Sequence, residues 1–172
     1  MKRILFAALA AASFGLPAFA GDQYVDNTGF AVSGYDVVAY RDLAQNPVGN
    51  AQPAAVPGNA AFTVEHNGAT FAFSSAENRD KFAANPEYYA PQYDGHCAYG
   101  VSKGGKVPGN PNLWRIVDDK LYLNITKNVV GFWEADIPGN INLAEGNWPD
   151  IEPADASKSV IPNFTSSAPE KG

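Results

Sequence analysis

Apolar and polar residues alternate most clearly at two places in this chain. Residues 62–66 and 69–73 alternate on either side of Asn67-Gly68, the dipeptide best suited to a two-residue hairpin turn. Such a hairpin puts Phe71 and Phe73 on one face, where Phe62 and Val64 can join them. A helix is predicted next, capped by Ser74 or Ser75, with Glu77 at the positive end of its dipole and Phe82 facing inward. Asn85-Pro86 stops that helix after Ala84. Further on, LWRIV at 113–117 and KLYLN at 120–124 flank Asp118-Asp119 and predict a second hairpin. Residues 126–133 then carry a helical pattern, and residues 141–148 a shorter one. Upstream, residues 30–40 (FAVSGYDVVAY) read as a strand-like run broken at Gly34, and residues 46–59, with Pro47, Pro53 and Pro57, as a surface loop. No internal repeat stands out. These elements predict a small single α+β domain of antiparallel β-hairpins with short helices, centred on residues 62–82.

The two ends read differently. Lys2 and Arg3 precede an apolar stretch at residues 4–16 that is too short to span a bilayer, and Ala18-Phe19-Ala20 supplies a small-x-small cleavage pattern. Residues 1–20 therefore read as a signal peptide cut after Ala20, which makes the protein periplasmic or secreted, with no membrane insertion after cleavage. Residues 21–29 read as a leader, residues 30–149 as the domain, and residues 150–172, rich in Ser, Pro, Ala and charge, as a disordered tail.

Charge narrows the partners. The chain carries a net −6, and without Lys2 and Arg3 there remain 10 basic against 18 acidic residues. No basic cluster is present, which argues against nucleic acid and anionic membrane surfaces. A metal ion or a small molecule is the expected partner.

Soft-ligand chemistry is concentrated at one point, where the only cysteine, Cys97, follows His96, one of two histidines. One cysteine in an oxidising compartment cannot form an intramolecular disulfide, so Cys97 is a core residue, a ligand, a reactive thiol or half of an intermolecular bridge. Cys97 and His96 suit Cu(I) or Zn(II), with His66, Asp94 or Asp36 available to complete a shell. Adjacent residues in an extended segment point apart, however, and no C-x-x-C or H-x-x-x-H spacing is present. A thiol enzyme would need His66 or His96 beside Cys97 as base together with an oxyanion site, and no motif of that kind stands in the chain.

SGYDVVAY at 33–40, the run from Phe71 to Gly104 (FAFSSAENRDKFAANPEYYAPQYDGHCAYGVSKG) and KLYLN at 120–124 resemble the YHS-domain family in its exported bacterial single-domain form. The resemblance covers residues 30–148. Metal-binding relatives in that superfamily carry a Cys-Gly dipeptide near the domain start and a Phe-Cys-Ser-x-x-Cys run entering the helix. Those cysteines fall here on Ser33, Ser74 and Asn78, so that thiolate set is missing. The resemblance implies a non-catalytic binding protein, with copper as the leading ligand through Cys97, His96 and His66, and zinc as the alternative. The competing reading is a small-molecule or protein-partner module. In that reading Cys97 is core, Asp36 with Tyr35 and Tyr40 forms a polar floor, and Tyr88, Tyr89, Tyr93, Tyr99, Trp114 and Trp133 supply an aromatic cleft.

Overall fold

The computed structural model describes residues 21–172. The expected signal peptide, residues 1–20, lies outside the described residues. The domain is α+β, as expected, and contains two separate antiparallel hairpins with helices packed against them. The first hairpin pairs β1 (Asn59–His66) with β2 (Ala69–Phe73) around Asn67-Gly68. Ser75 then caps α1 (Ala76–Ala84) by accepting the Asn78 N–H. Pro86 starts the single-turn α2 (Pro86–Tyr89), and α3 (Ala98–Ser102) leads to the second hairpin. There β3 (Asn110–Val117) pairs with β4 (Lys120–Asn124), and Thr126 caps α4 (Lys127–Glu134) through the Val129 N–H. The last helix, α5 (Ile137–Ile151), is longer than its sequence pattern suggested, because Asp136 caps it earlier and Pro138 suits its first turn. Among the described residues no helix is long and apolar enough to cross a membrane.

A repeat that the apolar pattern conceals becomes visible in this architecture. Val-Pro-Gly-Asn occurs at 56–59 and again at 107–110, 51 residues later, and the same offset carries β1-β2-α1 onto β3-β4-α4. Both hairpins break register at corresponding points, between Asn59 and Thr63 in one and between Asn110 and Trp114 in the other. In both, the asparagine at the strand start accepts the N–H two residues on, Ala61 in one case and Asn112 in the other. Phe71 packs on Phe82 with ring centroids 4.9 Å apart, and the matching pair, Tyr122 and Trp133, stands at 5.6 Å.

The match extends upstream at an offset of 61. Val32, Ser33 and Gly34 have φ of 52°, 52° and 78°, and Tyr93, Asp94 and Gly95 have φ of 57°, 53° and 77°. Two consecutive left-handed side-chain residues are costly, and the glycine that ends each run is the one residue that adopts this backbone freely. The turn then delivers the glycine carbonyl to the later motif: Gly58 N donates to Gly34 O at 2.8 Å, and Gly109 N to Gly95 O at 3.1 Å. Asp36 N likewise donates to Val56 O, and Cys97 N to Val107 O, each at 2.9 Å. The domain is two copies of one half.

These turns correct the reading of residues 30–40 as a strand. Positive φ at Val32 and Ser33 and short 3-10 turns at Val32–Gly34 and Ala39–Asp42 replace it, because Asp36 Oδ1 accepts the N–H groups of Val38 and Ala39 and folds the chain back. Strand β4 serves both cores: Leu121 and Leu123 face the cluster around Phe71, Phe73 and Phe82, while Tyr122 faces a second cluster with Tyr93, Val101 and Trp133. Fully burying each of these side chains is worth roughly 2–3 kcal/mol.

Both ends are tied down. Tyr24 is buried and its N–H donates to Asp94 O, so the leader is part of the domain. Residues 150–172, read from sequence as a disordered tail, run along both halves at matching positions. Ser167 N donates to Tyr35 Oη at 3.2 Å, and Ser157 N to His96 Nε2 at 3.1 Å. Ile161 is buried and Phe164 packs near Tyr35. The tail lacks an apolar pattern of its own because main-chain bonds to groups supplied by the domain hold it.

Candidate functional site

His96 and Cys97 are both fully enclosed, and they face different neighbours. Ser157 N–H occupies the Nε2 lone pair of His96, which assigns the ring proton to Nδ1, 2.9 Å from Tyr93 O. Burial pushes the imidazole down to about 4, so it is neutral and has no free nitrogen for a metal. The Cys97 thiol accepts the Gly100 N–H at 3.4 Å, capping α3, and lies 3.5 Å from Asn124 Oδ1. Burial raises its pKa, which keeps it a thiol. His66 belongs to the other half, its ring edge-on to Phe82 at 5.6 Å. The three expected ligands therefore do not converge, and among the described residues no group of three or more His, Cys, Asp or Glu is placed to hold a metal ion. The lone thiol and its neighbouring imidazole are the parts of a turn.

Asp36 is the counterpart of Cys97. Its Oδ1 takes two backbone N–H groups, and its Oδ2 takes Ser74 N at 2.8 Å, Ser74 Oγ at 2.6 Å and Asn78 Nδ2 at 2.7 Å. Ser74 and Asn78 thus converge on a carboxylate. Asp36 has no exposed surface, so it is no pocket floor but the tie between its turn and α1. Tyr40 is buried, donates to Pro111 O at 2.8 Å and stands edge-on to Trp114, which it supports from behind.

Trp114 does line a cleft. About 510 Å³ of space lies between residues 49–54, strand β3 and helix α4, walled by Leu113, Trp114, Val130 and Trp133, with Asn112, Asn124 and Lys127 among the polar groups. One wall arises from a large difference between the halves. Val56 follows Asp36 by 20 positions, whereas Val107 follows Cys97 by 10. The ten extra residues form the proline-rich loop. It is fastened to the second hairpin by Trp114 Nε1 to Pro53 O at 2.8 Å, Ala55 N to Asn112 Oδ1 at 2.9 Å and Gln45 with Ile116 in both directions. Arg115 donates to Asn46 O at 3.1 Å and pairs with Glu134, both side chains almost wholly buried, while Glu134 Oε2 accepts the Gly49 N–H at 2.8 Å. The pair therefore joins loop, strand and helix at the base of the cleft.

Trp133 Nε1, which belongs to a cleft-lining side chain only 1% exposed, is buried without any hydrogen-bond partner. An unmet buried donor costs roughly 1–3 kcal/mol, so an acceptor that reached it on a shift of the side chains enclosing it would recover that cost. Of the residues expected to bind a ligand, Trp114 and Trp133 share this cleft. Tyr93 lies elsewhere, with His66, Gln23, Asp94 and Glu152 around a polar cavity of about 450 Å³. Arg115 and Glu134 were missed in the sequence. The only signal was a lone arginine in an otherwise apolar strand, which reads equally well as an exposed position.

Comparison of the chain with models of known protein families, with curated proteins and with solved structures gave no match in any of the three.

Proposed function

We propose that this chain is an exported, non-catalytic binding protein of the YHS type, released by cleavage after Ala20, which takes a small, flat, largely apolar molecule bearing a hydrogen-bond acceptor. The observation that carries this reading is the enclosed, partnerless Trp133 indole N–H, on a side chain that lines a cleft with apolar, aromatic and polar walls. Flat apolar surface would stack against the tryptophans, and a carbonyl or carboxylate oxygen would meet the indole donor. Lys127, exposed on the rim, favours an anionic acceptor over a cationic ligand. Cu(I) or Zn(II) held by Cys97, His96 and His66 has less support, since the imidazole of His96 is already saturated and the thiol is protonated and enclosed.

The test is titration of the mature protein with benzoate, acetophenone and toluene, followed by tryptophan fluorescence. Benzoate and acetophenone should bind more tightly than toluene. Trp133→Phe, which keeps the ring area but removes the donor, should weaken the first two by roughly 5- to 100-fold and leave toluene unchanged. Equal affinities in both proteins would sink the reading, as would the absence of any binding.

A further inference from the structure

Gly21 is buried, although it opens the segment that the sequence reads as a loose leader. Its nitrogen donates to Glu152 Oε1 at 3.3 Å, and a Cβ placed on it would stand 2.6 Å from Asp94 Oδ2 and 2.6 Å from Glu152 O. No side chain fits there, so the glycine main chain sits directly between two carboxylates. Their surroundings supply little charge to balance them. Glu152 stands at the C-terminal end of α5, where the helix dipole is negative. Asp94 Oδ1 takes a hydrogen bond from Gln23 Nε2, but Asp94 Oδ2 is buried with no partner. Lys106, the nearby cation, directs its Nζ to the carbonyls of Glu152 and Ala154. A peptide nitrogen at Gly21 is neutral and brings one proton to this place. A chain terminus brings three protons and a full positive charge.

We propose that Asp94 and Glu152 form the receiving site for the α-ammonium group that processing creates at Gly21, so that removal of the leader completes the charge balance of the fold. This inference rests on the cut after Ala20 that belongs to the proposed function. The ammonium supplies the missing donor to Asp94 Oδ2 while keeping the bond to Glu152. Titration behaviour agrees: burial, then the neighbouring Glu152, pushes the Asp94 carboxyl from 3.8 up to about 6, against the pull of Lys106 and Gln23. With a neutral Gly21 nitrogen, Asp94 must ionise in the fold without a cation, and stability falls as pH rises from 3.8 through about 6. With the ammonium in place that loss is offset. The other titratable groups around the site are Asp22, and across the same cavity His66, Glu87 and Tyr93.

Two measurements test the proposal. The mass of the exported protein should place its first residue at Gly21; any other N-terminus overturns both this inference and the processing step on which it rests. The chain starting at a free Gly21 is then compared with the same chain acetylated at that nitrogen. At pH 7 the free form should melt roughly 2–8 °C higher. The gap should narrow as acid protonates Asp94 and should close above about pH 10, where the amine is neutral. Asp94→Asn should narrow the gap at pH 7. A gap that persists at every pH, or no gap at all, overturns the ion pair while leaving processing at Gly21 and the Trp133 cleft untouched.

Discussion

The two halves of this domain put different chemistry at one structural position, and in each the side chain is engaged in internal hydrogen bonds. In the first half Asp36 occupies the residue after the left-handed turn, and its carboxylate gathers five N–H and O–H donors from its own turn and from the start of α1. In the second half Cys97 occupies the same place and collects one N–H on its sulfur, with Asn124 beside it. The residues before them, Tyr35 and His96, also correspond, and each meets a backbone N–H of the C-terminal tail. The His-Cys pair that looks like the chemical centre of the sequence is therefore the second casting of a structural joint. The first half alone carries the ten-residue loop, and that loop forms one wall of the cleft. The repeated half supplies the scaffold, and a departure from its symmetry supplies one wall of the candidate site.

The comparison can be broken most directly at Asp36. Replacing it with alanine strands several buried donors, and Asp36→Ala should destabilise the domain by about 3–5 kcal/mol in urea unfolding. A cost under about 1 kcal/mol would show that the joint contributes little. A sharper version exchanges the two chemistries. Ile125 and Val129 stand where Ser74 and Asn78 stand in the first half, so an aspartate at 97 would find no side-chain donors there. Cys97→Asp should cost about 2–4 kcal/mol and Cys97→Ser only about 1 kcal/mol, since a hydroxyl still caps Gly100. Equal costs would contradict the assigned equivalence, and rapid thiol labelling of the folded protein would contradict the enclosed thiol.

A further expected effect is the pH response of His96. Its folded pKa, about 4, lies below the ordinary 6.5, because burial disfavours the charged ring. The neutral ring contributes stability that is present above 6.5 and lost as pH falls towards 4. Between pH 7 and pH 5 the loss should be about 2 kcal/mol. It is read as the difference between the wild type and His96→Gln, which removes contributions common to both, including that of Asp94. An identical pH profile in the two proteins would refute the assigned neutral tautomer.

Local elements were legible because local rules determine them. Asn67-Gly68, the Ser75 cap, Asn85-Pro86 and the alternation in residues 120–124 each settle their element within a few residues, and the structure follows them closely. Of the six aromatic residues grouped in the sequence as a cleft, only Trp114 and Trp133 line one together. The readings that changed depended on distant partners. FAVSGYDVVAY has strand composition, yet a buried carboxylate bonded to residues 38 and 42 positions away turns it back on itself. The tail has no apolar pattern, yet groups more than 60 residues earlier hold it. The internal repeat escaped notice because Val-Pro-Gly-Asn is its only run of identity and its two parts lie at offsets of 51 and 61.

By itself, then, the sequence determined the α+β class, both hairpins and the cap of α1, all of which rest on contacts between near neighbours. Only the tertiary structure decided that Cys97 and His96 are spent on internal hydrogen bonds and that Arg115 and Glu134 close the base of a cleft. It also showed an enclosed, partnerless indole N–H on a tryptophan that lines that cleft. Burial and hydrogen-bond satisfaction belong to three-dimensional packing: the same cysteine, histidine or arginine is a ligand, a cap or half of an ion pair according to what the rest of the chain brings against it.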